Sequence, residues 1–168
     1  VRGGRAYFPL ACGVVKCVSL KDGSEIWSRQ FDGKIYSTPA ISGKTLVFGC
    51  TDGNVYALKA SDGSVKWKYH TEKSVLASPV IMDGLVYIGG SDHKFRALSL
   101  KDGSAVWTYS PVEGHAISTP YCDGERVVFG TWGRTLYSLD PRTGREQWKW
   151  TVKKPSRMYS PAHCVPVY

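Results

Sequence analysis

The chain has 168 residues with a 42% hydrophobic fraction, 12% aromatics and a formal net charge of +8, enough apolar material for a packed domain and too much for a disordered chain. No apolar run approaches the roughly 18 residues of a membrane-spanning helix and no basic-then-apolar leader opens the chain, so no transmembrane segment is expected. The basic balance favours acidic partners, but the longest Lys/Arg run is Lys153-Lys154 and no helix-turn-helix, zinc-finger or RNA-recognition pattern is present, which argues against specific nucleic-acid binding.

Taken in chain order, the same segment returns four times. A turn glycine stands at Gly23, Gly63, Gly103 and Gly144, in steps of 40, 40 and 41. Trp27, Trp67, Trp107 and Trp148 follow these glycines by four residues, and Pro39, Pro79, Pro120 and Pro161 keep the same phase. A period near 40 fits a four-stranded propeller blade or a helical-repeat solenoid. The strands arbitrate. The third repeat reads as Ala77-Ser78-Pro79-Val80-Ile81, Leu85-Val86-Tyr87-Ile88, Lys94-Phe95-Arg96-Ala97-Leu98 and Ala105-Val106-Trp107-Thr108. Asp83-Gly84, Ser91-Asp92-His93 and Lys101-Asp102-Gly103-Ser104 separate them as turns. No segment keeps a helical period. Runs such as Leu46-Val47-Phe48 and Val127-Val128-Phe129 are apolar on both faces, as expected of sheets stacked between neighbours. The reading is therefore an all-β propeller of about four four-stranded blades in a single domain, residues 1–168. The blades fall at about 1–30 completed by 160–168, then 31–70, 71–110 and 111–152.

The segments Ala57 to Trp67, Ala97 to Trp107 and Ser138 to Trp148, with Cys17 to Trp27 as a looser copy, resemble the tryptophan-docking repeat of PQQ-like β-propellers. In that family the small residue at Cys17, Ala57, Ala97 or Ser138 is expected to leave room for an indole from the outer strand of a neighbouring blade. Trp27, Trp67, Trp107 and Trp148 become blade-to-blade staples whose N–H groups need backbone acceptors. The best family copies carry Asp two residues after the small residue; only Asp140 does so here, which implies a divergent, binding-type propeller. A weaker resemblance, carried by Gly130-Thr131-Trp132-Gly133, Leu139-Asp140-Pro141 and Arg157-Met158-Tyr159-Ser160-Pro161-Ala162, is to propellers that accompany calcineurin-like metallophosphoesterases in bacterial envelope proteins. It implies an envelope, periplasmic or otherwise extracytoplasmic, setting.

Catalytic members of the family hold pyrroloquinoline quinone and calcium, and many carry adjacent cysteines. This chain has no Cys-Cys pair, and Asp22, Asp62, Asp83, Asp102 and Asp123 sit in hairpin turns where Asp serves turn geometry. No C-x-x-C pair links Cys12, Cys17, Cys50, Cys122 and Cys164, and Cys17, Cys50 and Cys122 fall on apolar strand positions as buried thiols. His70, His93, His115 and His163 occupy different positions of the repeat. No catalytic residue, metal or cofactor is expected, and the chain is not read as an enzyme.

The reading is a binding or scaffold module, akin to the propeller lipoprotein of the bacterial outer-membrane β-barrel assembly machinery. The alternatives are a ligand-recognition domain of an envelope hydrolase of the phosphoesterase type and, more remotely, a fragment of a quinoprotein dehydrogenase. The expected surface is the face where the loops between second and third strands meet the connections between blades. It would present Lys34, Lys73, His93, Lys94, His115, Trp132, Arg134 and Arg157 to a protein or anionic ligand. Trp132 draws notice there against Asp52 and Asp92 in the corresponding loops. Finally, Ala6-Tyr7-Phe8 aligns with second strands, so the first blade lacks an innermost strand, while Ser160-Pro161-Ala162-His163-Cys164-Val165 aligns with innermost strands. Closure is expected in an eight-bladed ring, of which this chain is half, through end-strand exchange in a homodimer or through further blades of a longer chain; a closed four-bladed ring is the least favoured outcome.

Overall fold

The structure, a computed structural model, describes residues 1–152. Four antiparallel sheets follow one another along the chain. The first has three strands, β1 (Arg5–Pro9), β2 (Val14–Ser19) and β3 (Glu25–Gln30). The second orders β4 (Ala40–Ser42), β5 (Thr45–Gly49), β6 (Asn54–Lys59) and β7 (Val65–His70) from one edge to the other. The third repeats this with β8 (Val80–Met82), β9 (Leu85–Gly89), β10 (Phe95–Ser99) and β11 (Ala105–Tyr109). The fourth has β12 (Tyr121–Cys122), β13 (Val127–Gly130), β14 (Thr135–Leu139) and β15 (Glu146–Thr151). This is the all-β propeller architecture, and no helix occurs among the described residues.

The first strands are shorter than the sequence reading drew them. β8 begins at Val80 rather than Ala77, because Pro79 has no N–H to give to a ladder and leaves Ala77 and Ser78 to the connection. Among the described residues the first sheet has no equivalent strand, and the segment expected to supply it, residues 160–165, lies outside them.

The core is three apolar layers, one between each pair of successive sheets. Val15, Cys17 and Trp27 pack on Leu46, Phe48 and Leu58. Val47, Val55 and Ala57 pack on Val86, Ile88 and Leu98. Tyr87, Phe95 and Ala97 pack on Phe129 and Leu139, with the Phe95 and Phe129 rings stacked at 3.8 Å. A middle strand is thus covered on both faces: all five residues of β5 are buried.

The tryptophans close these layers, by a geometry that differs from the expected one. Each pairs across the ladder with the small residue of its own sheet: Trp27 with Cys17, Trp67 with Ala57, Trp107 with Ala97 and Trp148 with Ser138. A register shift falls at this pair in every sheet, a bulge one residue before the tryptophan that re-aims the strand. The first three indoles then reach the next sheet, where Trp27 Nε1 donates to Ala60 O (3.1 Å), Trp67 to Leu100 O (3.0 Å) and Trp107 to Pro141 O (2.9 Å). The room they need comes from the turn glycine there. A Cβ on Gly63, Gly103 or Gly144 would lie 2.6–2.7 Å from the arriving ring, and each glycine has a positive φ. The turns are fixed by aspartates such as Asp102, whose carboxylate accepts from the Ser104 hydroxyl and N–H and is held down to about 2.

Candidate interaction surface

On the loop face of the second, third and fourth sheets, the hairpin between second and third strands is tied to the connection entering its own sheet. Thr51 N–H donates to Lys34 O (2.9 Å), Ser91 N–H to Ser74 O (3.1 Å) and Trp132 N–H to His115 O (3.0 Å). These bonds define equivalence better than counting does. Trp132 stands in the place of Thr51 and Ser91, not of Asp52 and Asp92; Gly133 takes the aspartate position, because the 41-residue step falls ahead of this loop.

Between the third and fourth sheets the loops gather His93, His115 and Trp132. The imidazoles lie 5.0 Å apart between ring centroids, and the Trp132 indole meets His115 edge-on at 6.2 Å. His115 Nδ1 is 2.9 Å from Ser91 O and His93 Nδ1 is 3.3 Å from Val112 O. A carbonyl only accepts, so both rings donate from Nδ1, which leaves Nε2 to accept in the neutral form and to donate when protonated. Trp132 is 52% exposed.

On the side of the third sheet that faces the second, Arg96 and Asp92 form a buried ion pair, with Arg96 Nη1 3.1 Å from Asp92 Oδ1, a second contact through Nη2 and the guanidinium over the Tyr69 ring. Burial alone would raise the Asp92 carboxyl, but the hydrogen bonds and charge of Arg96 outweigh it and hold the pKa below the usual carboxylate value. This pair pins the loop that presents His93. His93 and Arg134 both have left-handed backbone (φ 61° and 65°), at the position that Gly53 fills in the second sheet (φ 84°).

The other residues expected on this face are placed less favourably for one site. Lys94 is ion-paired with Glu72, Lys34 and Lys73 sit exposed on the connections into the second and third sheets, and Arg157 lies outside the described residues. With Asp32, Glu72 and Glu113 also exposed, the face is of mixed charge rather than uniformly cationic. The sequence reading passed over Tyr36, which is 56% exposed on the connection into the second sheet, where the counterparts are Leu76 and Ile117. Cys17, Cys50 and Cys122 are buried free thiols and Cys12 is exposed. Cys50 sits one residue past β5, where burial pushes its thiol up to about 11. Among the described residues no group of three or more His, Cys, Asp or Glu is placed to hold a metal ion. At the opposite strand ends a cavity of about 360 Å³ is lined by Arg2, Arg5, Tyr7 and Lys44, and Arg5 is engaged there with Ala60 O and Ser61 O.

A family model described as outer membrane protein assembly factor BamB matches residues 11–160. The chain belongs to this family of PQQ-like repeats. Among solved structures it is similar to BamB from Moraxella catarrhalis at 22% identity and a TM-score of 0.76, covering 88% of this chain and 50% of that one. The computationally designed Ika8 protein follows at 18% and 0.81, covering 89% and 47%, and the quinohemoprotein alcohol dehydrogenase from Comamonas testosteroni at 16% and 0.77, covering 88% and 33%. The chain therefore spans half or less of the length of each, and the likeness is one of fold. No curated protein sequence matches it.

Proposed function

We propose that this BamB-family chain is a binding module of the bacterial envelope, not an enzyme, and that it holds extended, acidic protein segments on the loop face of its third and fourth sheets. One observation carries the reading. Where the second sheet uses glycine, the third and fourth place His93 and Arg134 in left-handed backbone, a conformation that costs an L-residue on the order of 1 kcal/mol. The His93 ring lies against His115, whose own ring meets the exposed Trp132 edge-on, and Arg134 is exposed two residues after Trp132 in the same hairpin. An aromatic face beside hydrogen-bond donors that are cationic or can become so suits a peptide carrying carboxylates, and Trp and Arg are common interface anchors. The family's description as an assembly factor of outer-membrane proteins supports the protein partner and the envelope setting. The dehydrogenase neighbours share the fold alone, and nothing in the loop cluster depends on their chemistry.

The test is a fluorescence-anisotropy screen of labelled extended peptides that differ in Asp/Glu content and hydrophobicity, at low and physiological salt. Acidic peptides should bind in a salt-weakened manner. Equal binding of basic peptides, or no binding of any peptide beside tight binding of inorganic phosphate or a glycan, would overturn the reading.

A further inference from the structure

The junction between the second and third sheets shows what the fold requires of two loop positions. The hairpin of the second sheet has Gly53 at one, and the connection into the third sheet has Ser74 at the other. Thr71 N–H donates to Gly53 O (2.8 Å), and the Ser74 hydroxyl donates to Thr51 O (2.9 Å). At the next junction the same two positions hold His93 and His115. Val112 N–H donates to His93 O (3.0 Å) as Thr71 does to Gly53, and His115 Nδ1 takes over the bond of the Ser74 hydroxyl, to Ser91 O at 2.9 Å. A glycine and a serine satisfy this backbone, so the two imidazoles exceed what the fold needs. His93 also bears left-handed backbone, φ 61°, which is kept at a cost in energy.

The rings are arranged as a pair of ligands. Their centroids are 5.0 Å apart. Two imidazoles that share one ion through metal–nitrogen bonds of about 2.0–2.1 Å at tetrahedral angles have centroids about 5 Å apart. Each Nδ1 is committed to a backbone carbonyl, Ser91 O for His115 and Val112 O (3.3 Å) for His93. Metal-ligating histidines make such an outer bond almost always: it fixes the tautomer, holds the ring and leaves the Nε2 lone pair for the ion. Both side chains are half-buried on loops already tied by backbone hydrogen bonds. The charges nearby are of both signs. Glu113 Oε2 accepts from Thr135 Oγ1 (3.2 Å), Lys94 is paired with Glu72, and Arg134 is exposed on the hairpin of the fourth sheet.

We propose that His93 and His115 form a two-histidine site for a borderline first-row divalent cation of the Ni²⁺, Cu²⁺ or Zn²⁺ type, with Nε2 of each ring as the ligand atom. Neutral imidazole nitrogens select these ions over Mg²⁺ and Ca²⁺, which seek oxygen. Two protein ligands leave coordination positions for water or for a partner's carboxylate. The site follows from the two rings and does not rest on the peptide reading.

Isothermal titration of the chain with nickel chloride, in the absence of peptide, is the test. Cys12 is exposed, so Cys12→Ser serves as the background and removes a competing thiol. One Ni²⁺ should bind per chain, with Cu²⁺ tighter, Co²⁺ and Mn²⁺ weaker, and Mg²⁺ not at all. His93→Gly and His115→Ser install the residues of the preceding junction, so each variant should keep the wild-type circular dichroism and melting profile. Each should weaken Ni²⁺ binding at least tenfold, since loss of an outer partner alone costs about 10–100-fold. Absence of stoichiometric Ni²⁺ binding, Ni²⁺ binding that both substitutions leave unchanged, or equal binding of Mg²⁺ would overturn the site, and with no peptide present would leave the peptide reading to its own test.

Discussion

Replacing Trp67 by Ala tests how these sheets are held together. Its ring is 8% exposed, lies on Gly103 and donates to Leu100 O. A buried Trp removes about 200 Å² from water. At about 25 cal/mol per Å² the part lost on truncation is worth roughly 4 kcal/mol, within the 3–5 kcal/mol range of Trp-to-Ala changes in cores. The orphaned Leu100 carbonyl adds to this. Urea unfolding followed by circular dichroism should show a loss of that size for Trp67→Ala, while Trp132→Ala on the exposed loop stays within about 0.5 kcal/mol. Gly103→Ala sharpens the test. In the native background it combines left-handed strain with overpacking against the ring, roughly 2–4 kcal/mol together. In the Trp67→Ala background the ring is gone and only about 1 kcal/mol of strain remains. A double-mutant cycle should therefore show a coupling of about 1–3 kcal/mol. Simple additivity, or a Trp67→Ala loss below about 1 kcal/mol, would refute the stapling account.

Three further outcomes follow from the same geometry. Asp92→Ala should cost about 3–5 kcal/mol by leaving Arg96 buried without its partner, and Asp92→Ala with Arg96→Met should recover much of that, read by the same unfolding assay. Because the folded-state pKa of Asp92 is depressed, its contribution is present above the ordinary carboxylate pKa near 3.9 and lost as pH falls through the lower folded value. The wild type should accordingly lose stability in that acid window more steeply than an Asp92→Asn chain, and parallel acid profiles would count against the pair. Iodoacetamide at pH 8 should label Cys12 in the native chain while sparing Cys17, Cys50 and Cys122, as read by peptide mass mapping; rapid labelling of Cys50 would contradict its burial and raised pKa.

The repeat made most of the fold legible. Turn glycines and tryptophans in a constant phase fixed the sheet order, and strands apolar on both faces announced stacking. The resemblance implied that the indoles join neighbouring blades, but which residue receives them was not legible, because the bulge before each tryptophan turns it from the small residue of its own ladder toward the glycine of the next sheet, and a bulge leaves no mark in a periodic pattern. Pro79 did carry the signal that shortens β8, since it lacks the ladder donor. At the loop face, His93 and His115 are 22 positions apart and meet only because separate backbone bonds draw Trp132 to His115 and Val112 to His93. The Arg96–Asp92 pair was hidden for another reason: Arg96 sits inside an apolar strand run, where only the fold reveals its partner. Charge counting misled, because it treated Lys94 as a free cation although Glu72 neutralises it.

The central claim is that the cluster between the third and fourth sheets is the binding surface, and backbone geometry supplies a clean way to test it. His93→Gly and Arg134→Gly each substitute the residue best suited to left-handed backbone, so the double variant should fold as stably as the wild type or more so. Lys44→Glu, at the opposite strand ends, serves as the control and lowers the net charge by more than the double variant does. Isothermal titration with the tightest acidic peptide from the anisotropy screen should show at least a tenfold loss of affinity for the double variant and none for Lys44→Glu. Unchanged affinity in the double variant, with loss in Lys44→Glu, would contradict the account and move the binding surface to the opposite face.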